Sequence, residues 1–349
     1  MFRSKKRDSV PPLPEDGKKF IMPSEDGVRH EATWLQWPHN FGWDKHHVER
    51  LEPIWIQMTL SLHKDEKVHI IVCNESEKER IATLLKSNHV DMSQIDFCVW
   101  PTNDVWVRDS GPIFVFDDER KLAVMDWEFN GWGRKVKYDK CNQIPAKVAS
   151  RLGVPVYSIP MVNEGGSIEI DGRGTLMAKR SSILNKNRNP GWNQQDAEQY
   201  FRKYLGVVNF IWLDGQKGGD ITDDHIDGTA RFANGDTIVT MYRQDHIDPR
   251  EYNVLANAKD AHGQPYKLVH LPLTTQKIDK VKDYGIYTNY YVGNGVVLMP
   301  TYNDPNDAKA KQILAGLYPQ LQVIGIYSVE LYKDGGILHC VTQQQPAIN

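Results

Sequence analysis

Four turn signals recur along this chain at nearly equal intervals, each between two apolar strand patterns. GPIFVFDDERKLAVMDW (111–127) places two apolar runs around a charged turn, and SIEIDGRGTLMAK (167–179) turns at Asp171-Gly172. TARFANGDTIVTMY (229–242) turns at Asn234-Gly235, and NYYVGNGVVLMP (289–300) at Gly293-Asn294-Gly295. Asn-Gly and Asp-Gly between alternating apolar residues predict hairpins, because these residues accept positive φ. The hairpins start at 111, 167, 229 and 289, so the spacings are 56, 62 and 60 residues. A near-constant period of this length predicts structural repeats.

Helical patterns fall between the hairpins. NQQDAEQYFRKYLG (193–206) has an Asn start and a Gly stop, with Ala197, Tyr200, Phe201 and Leu205 on one side. DPREYNVLANAKDA (248–261) and DPNDAKAKQILAGLYP (304–319) open with Asp-Pro, a cap followed by a first-turn residue. Residues 48–66 and 75–88 supply two more helices. Each helix is followed by a short apolar strand, so the unit is helix, strand, hairpin, about five times. A fifth unit could combine 321–332 with 337–345, and HEATWLQWP (30–38) would then share a module with the C-terminal end or open its own. Units of about 60 residues that bury little alone should close into a ring. The alternative is an ordinary α/β sandwich with accidental spacing.

Nothing in the 349 residues separates two domains. Residues 1–20 are basic and then Pro-rich, and are expected to form a flexible or surface-draped extension. Residues 21–349 are expected to form one domain. No secretory h-region and no membrane-length apolar run is visible, so a cytoplasmic location is expected. The net charge of -3 argues against nucleic acid as the main partner. The four cysteines are Cys73, Cys98, Cys141 and Cys340. None forms a CxxC pair, which argues against a structural zinc site or disulfide framework. Cys73 and Cys98 lie in apolar runs and are expected to be core residues.

Four segments could carry chemistry. NDVWVRDSGP (103–112) sets Asp104, Arg108 and Asp109 around Trp106, a flat apolar wall beside carboxylates that suits a planar cation. NEGGSIEIDG (163–172) places Glu164 before two glycines that permit close backbone approach. DITDDHIDGTA (220–230) holds His225 and Asp227, which share a face if the stretch is extended. They could serve acid–base chemistry or bind a metal; an acidic loop is the plain alternative. KDGGILHCVTQQQP (333–346) places Cys340 after a Gly-Gly turn that could present its thiol. In a strand, the adjacent His339 would point away from Cys340. His225 is then the better partner base, and a buried inert cysteine is the alternative.

In these segments the chain resembles the agmatine deiminase family, which includes the Porphyromonas-type peptidyl-arginine deiminases. The resemblance runs from MPSEDGVRHEATWLQWPHN (22–40) to TQQQP (342–346). It also takes in FNGWG (129–133), LNKNRNP (184–190) and LGVVNFIWL (205–213). It implies an α/β fold, a five-bladed pseudo-symmetric propeller of αββαβ units. By motif, Cys340 would be the nucleophile and His225 the general acid/base. Asp109 and Asp227 would grip the guanidinium, with Glu164, Trp106 and Asn289 lining the site. Agmatine would be the substrate, with peptidyl- or free arginine as alternatives and a silent guanidine-binding propeller as a non-enzymatic one. No metal or cofactor is implied; a homodimer is. The chain departs from the usual motifs at Asp334 and Ile337, where the family carries Gly and Asn. It departs also at Glu169 and Asp224, where a His and a Gly are usual.

Overall fold

All four hairpins expected from the turn signals are antiparallel strand pairs in the computed structural model, which describes residues 10–39, 45–241 and 246–348. Strand Ile113–Asp117 pairs with Leu122–Glu128, and Ile168–Ile170 with Thr175–Lys179. Ala230–Ala233 pairs with Thr237–Thr240, and Tyr291–Val292 with Val296–Thr301. Asn234 takes φ 54° and Gly235 φ 69°, the left-handed backbone that such a turn demands.

Each hairpin gains a third strand in parallel, reached across a helix. Leu122–Glu128 pairs with Val156–Val162 beyond helix Ile144–Leu152, and Thr175–Lys179 with Asn209–Leu213 beyond helix Gln194–Leu205. Thr237–Thr240 pairs with Lys267–His270 beyond helix Pro249–Ala256, and Val296–Thr301 with Gln322–Tyr327 beyond helix Asn306–Leu317. A parallel neighbour requires such a crossover, which is why helix and strand alternate with the hairpins.

The fifth sheet joins the two ends of the chain. Gln343–Pro346 runs antiparallel to His30–Gln36, which pairs in parallel with Lys67–Val72 and that strand with Ile95–Val99. Helices Lys45–Leu62 and Glu75–Ser87 make the crossovers. Of the two places expected for HEATWLQWP, a module shared with the C-terminal end is the one observed. Residues 321–332 do not join 337–345, because Gln322–Tyr327 is already the third strand of the fourth sheet. A small antiparallel pair, Leu273–Ile278 with Asp283–Ile286, was not expected; its strands are mostly polar and carry little periodic signal. The fold is thus α/β with mixed sheets, six of them among the described residues.

Local chemistry sets the helix ends. Asn193 and Asp196 form a reciprocal capping box, and Gly206 ends the helix at φ 72°. A Cβ on Gly206 would lie 2.1 Å from the Phe20 carbonyl oxygen, so the position also admits the N-terminal strand. The helix expected over 248–261 stops at Ala256 instead. There Asp260 turns the chain by accepting from the amides of His262 and Gln264, each at 2.8 Å.

Residues 10–20 lie over the helix Gln194–Leu205. The Tyr200 hydroxyl donates to the Pro11 carbonyl at 2.7 Å, and Val10 and Leu13 pack on the apolar cluster that includes Phe201. Residues 1–9 of the expected extension fall outside the described residues. Among the described residues, no helix is long and apolar enough to cross a membrane. Cys98 is buried, as its apolar run implied, but Cys73 is only half-buried at the end of its strand.

Candidate active site

Each of the five three- or four-stranded sheets is entered through a short irregular segment, and each segment supplies at least one of the residues singled out above. Asp109 lies in the helical turn Val107–Ser110 before strand Ile113–Asp117. Glu164 precedes the turn Gly165–Ser167, and His225 and Asp227 lie at the turn Ile226–Gly228. Asn289 comes just before Tyr291–Val292. Cys340 lies in the turn His339–Val341 before Gln343–Pro346. Residues in such turns leave the sheet ladder, so their side chains are free to gather at one place.

Gly166 marks that place. A Cβ there would lie 2.8 Å from Asp109 Oδ1, 2.8 Å from His225 Nδ1 and 3.0 Å from Asp227 Oδ2. Three of the expected site residues therefore meet over a residue with no side chain of its own. The Gly166 amide also donates to Asp109 Oδ1 at 3.0 Å, while Trp132 Nε1 donates to Asp109 Oδ2 at 2.8 Å. Trp132 takes φ 54°, a left-handed conformation rare for an indole, between Gly131 and Gly133.

The thiol and imidazole border the same cluster. Cys340 Sγ lies 3.4 Å from Asn289 Oδ1, to which it donates, and 3.8 Å from Asp227 Oδ2. His225 Nδ1 is 3.6 Å from Asp109 Oδ1, and its Nε2 is 3.1 Å from Glu164 Oε2. Glu164 is itself fixed by Arg188 Nε at 2.7 Å, and Arg188 reaches on to Asp223 Oδ2 at 2.7 Å. Glu164 thus backs the imidazole and leaves Nδ1 turned toward Asp109.

Electrostatics follow from burial. Burial presses the His225 imidazolium down, but Asp109, Glu164 and Asp227 outweigh it and lift its pKa to about 9. Burial pushes the Cys340 thiol well above its usual range, and Asp227 and Asp109 push it the same way. Burial also raises Asp109, reinforced by Asp227 and Glu164. Burial opposes the Asp227 carboxylate, yet its bond to His339 keeps its pKa below the ordinary value. The resting site therefore holds an imidazolium and an unionised thiol beside carboxylates, an arrangement that a bound cation would rebalance.

Two expectations about direction change. The stretch around His225 is not a strand, because Ile226–Gly228 forms a 3-10 turn, yet His225 and Asp227 still meet at Gly166. His339 does not turn away into an opposite face either, because residues 339–341 are also a 3-10 turn. Its Nδ1 lies 2.8 Å from Asp227 Oδ2, the same oxygen that faces the thiol, and its Nε2 lies 3.1 Å from Glu25 Oε2. Glu25 went unremarked in the sequence. Its side chain is 9% exposed, and it accepts from Arg108 Nη2 and Arg231 Nη2, each at 3.0 Å, and from the Val292 amide at 2.8 Å.

The departures from the family motifs are accommodated separately. Glu169 forms a buried ion pair with Arg231. Asp224 takes φ 73°, where glycine is the easier choice, and its carboxylate holds Lys179 and the Gln216 amide. Ile337 is buried in the main apolar cluster. Asp334 lies 2.8 Å from His47 Nε2.

Two cavities meet at Cys340, one of about 200 Å³ walled by Trp106 and Trp132 and one of about 720 Å³ that His225, Asp227 and Asn289 border. Gly336 sits under the indole of Trp106: a Cβ there would be 2.4 Å from Trp106 Cζ3 and 3.1 Å from Cys340 Cβ. The Gly-Gly turn is thus required by a close approach that also holds the nucleophile candidate against the indole. Among the described residues, no three His, Cys, Asp or Glu side chains are grouped as a metal ion would need.

A family model described as Porphyromonas-type peptidyl-arginine deiminase matches residues 21–346, almost the whole chain. The chain belongs to that family. It is 30% identical to an agmatine deiminase of Medicago truncatula, with 94% of this chain and 97% of that one covered. It is 29% identical to an agmatine deiminase of Pseudomonas aeruginosa, over 94% of this chain and 96% of that one. The solved agmatine deiminase of Enterococcus faecalis superposes with a TM-score of 0.85 at 25% identity, covering 95% of this chain and 96% of that one. Membership of the deiminase family makes the chain an enzyme that hydrolyses carbon–nitrogen bonds.

The cluster makes a prediction about titration. In an NMR titration His225 should keep its second proton through neutral pH and lose it near pH 9. A midpoint near the unperturbed value of about 6.5 would contradict the carboxylate arrangement described here. Gly166→Ala should force Asp109, His225 and Asp227 apart and lower that midpoint by at least about one unit. An unmoved midpoint in the folded variant would show that Gly166 does not set the spacing.

Proposed function

We propose that this deiminase hydrolyses the guanidinium group of agmatine, yielding N-carbamoylputrescine and ammonia through a covalent intermediate on Cys340. The observation that carries this reading is the meeting of one imidazolium and two carboxylates around Gly166, with the Cys340 thiol 3.8 Å from one of those carboxylates. Relatives named as agmatine deiminases, matched along nearly their full length, support the choice of substrate.

A guanidinium is planar, permanently charged and rich in donors, and Asp109 and Asp227 suit its edges in charge and geometry. Its arrival offsets the negative field that keeps the thiol protonated, so the thiol releases its proton to solvent and becomes the nucleophile. Sγ bonds to the central carbon while the carbon–nitrogen π electrons move onto nitrogen. His225 transfers its proton to the departing amino nitrogen, and the carbon–nitrogen bond breaks to free ammonia. The product of this half-reaction is an S-alkylthiouronium on Cys340. Water then adds to the same carbon and gives a proton to the now neutral His225. That proton restores the imidazolium. The carbon–sulfur bond then breaks with its electron pair on sulfur, the hydroxyl proton passes to the departing sulfur to regenerate the thiol, and the urea product is released. Asp109 and Asp227 keep their positions throughout, as preorganised electrostatic groups should. Glu164 holds the imidazole, and Trp106 and Asn289 shape the approach to the thiol. Water is the only co-reactant, and no step needs a metal or organic cofactor.

The five matching sheets support a further reading of the architecture. We take residues 21–349 as one domain in which the sheets are blades of a ring, with the C-terminal strand against His30–Gln36 as its closure. The five entry segments would then all face the ring's axis, which would explain why a reaction site draws one group from each.

A side-by-side assay of ureido products tests the function. Agmatine should give a higher kcat/KM than free arginine or an arginine peptide, with ammonia released in equal amount. Cys340→Ala should reduce turnover to background, and chelator should leave the wild type unaffected. A faster reaction with arginine would overturn the substrate assignment; turnover by Cys340→Ala would overturn the mechanism.

A further inference from the structure

The narrower cavity holds more negative charge than a guanidinium needs. Besides Trp106, Cys340 and Asp109, it is lined by Asp104 and Asp334, and no lysine or arginine is among the described residues that line it. Asp109 belongs to the guanidinium end. Asp104 and Asp334 mark a second acidic position in the same cavity. Burial raises Asp104 to about 6, and the charge of Asp334 adds to the rise. The two carboxylates therefore sense each other. Asp334 has His47 Nε2 at 2.8 Å on its other side, and Asp104 accepts from the Val105 amide at 2.9 Å.

The backbone limits the separation of Asp334 from Gly336, the residue packed against Cys340. Gly336 lies against Cys340 and the Trp106 indole, and Asp334 is two residues earlier, beyond Gly335 at φ 102°. Two residues span at most about 7 Å. A chain of four methylenes can cover that distance along the face of Trp106, where apolar contact suits it. Its far end would arrive between carboxylates. A carboxylate at that end, as in free arginine, would meet repulsion instead.

We infer that Asp334, together with Asp104, binds the distal ammonium of the substrate and so selects guanidines that end in an amine over those that carry a carboxylate. The inference rests on the deimination reading above.

The test compares agmatine with butylguanidine, an alkylguanidine of the same length that lacks the amine. In the wild type, agmatine should have the higher kcat/KM. Asp334→Asn should lower the agmatine-to-butylguanidine ratio by about 10- to 100-fold, the range for losing a charged hydrogen bond. Asp334→Glu should restore part of the ratio, and Asp104→Asn should lower it in the same direction. An Asp334→Asn ratio equal to that of the wild type would overturn the inference, whether both substrates decline together or neither does. Binding to Cys340→Ala, measured by calorimetry, separates the two claims. If the wild type turns over neither compound, the reaction assignment fails. A preference of Cys340→Ala for agmatine that Asp334→Asn removes would still uphold the ammonium site, and equal binding of both compounds would refute it.

Discussion

The constraint on which the site depends is the cost of keeping like charges buried together. Asp109, Asp227 and Glu164 are all nearly inaccessible to water and lie within reach of one imidazole. Bare carboxylates in such a position would take up protons or force the turns apart. Each is instead held by a specific donor: Trp132 and the Gly166 amide for Asp109, Arg188 for Glu164, His339 for Asp227. These donors leave one cationic group, His225, facing inward. The remaining imbalance is felt at the thiol, whose ionisation the carboxylates oppose. A site so arranged is quiet until a cation enters it.

The donors are supported by a second layer that ties distant parts of the chain together. Glu25 lies well before any of the proposed reacting residues, yet it takes bonds from Arg108 and Arg231 and lies 3.1 Å from His339 Nε2. Burial opposes its charge, and Arg231, His339 and Arg108 outweigh that and hold its pKa well below the usual carboxylate range. Arg231 in turn is shared with Glu169. Three of the five entry segments thus share one buried charge network: that of Asp109 through Arg108, that of Cys340 through His339, and that of Asp227 through the same histidine. Removing one partner would leave the others buried and unpaired, the costly direction for such networks. The position of the proposed nucleophile is coupled in this way to Glu25 and Arg231, neither of which lines the two cavities at Cys340.

Much of this was legible in the sequence, and what was legible had a local cause. The hairpins at 229–242 and 289–300 follow from turn residues that accept positive φ, and the helix 194–205 from its Asn cap and terminal glycine. Asp109, Glu164, His225 and Cys340 stood out because each sits in a polar, glycine-containing segment next to an apolar strand. What depends on distant pairing was not legible. The antiparallel match of Gln343–Pro346 with His30–Gln36 spans almost the whole chain, so periodicity could offer it only as one option. Glu25 looks like any surface glutamate in MPSEDG until the fold surrounds it. Strand alternation gives the wrong direction for His339, because residues 339–341 form a 3-10 turn. The pair at 273–286 was missed because its strands are half polar and exposed, with no alternation to read.

The central claim is that the sulfur of Cys340 becomes bonded to the guanidinium carbon during turnover. Acid quenching within the first turnovers, followed by peptide mass spectrometry, tests it directly. The peptide carrying Cys340 should gain the mass of agmatine less ammonia, and the adduct should disappear once substrate is exhausted. An unmodified Cys340 peptide under conditions where product is forming, or the same mass on another residue, would contradict the account.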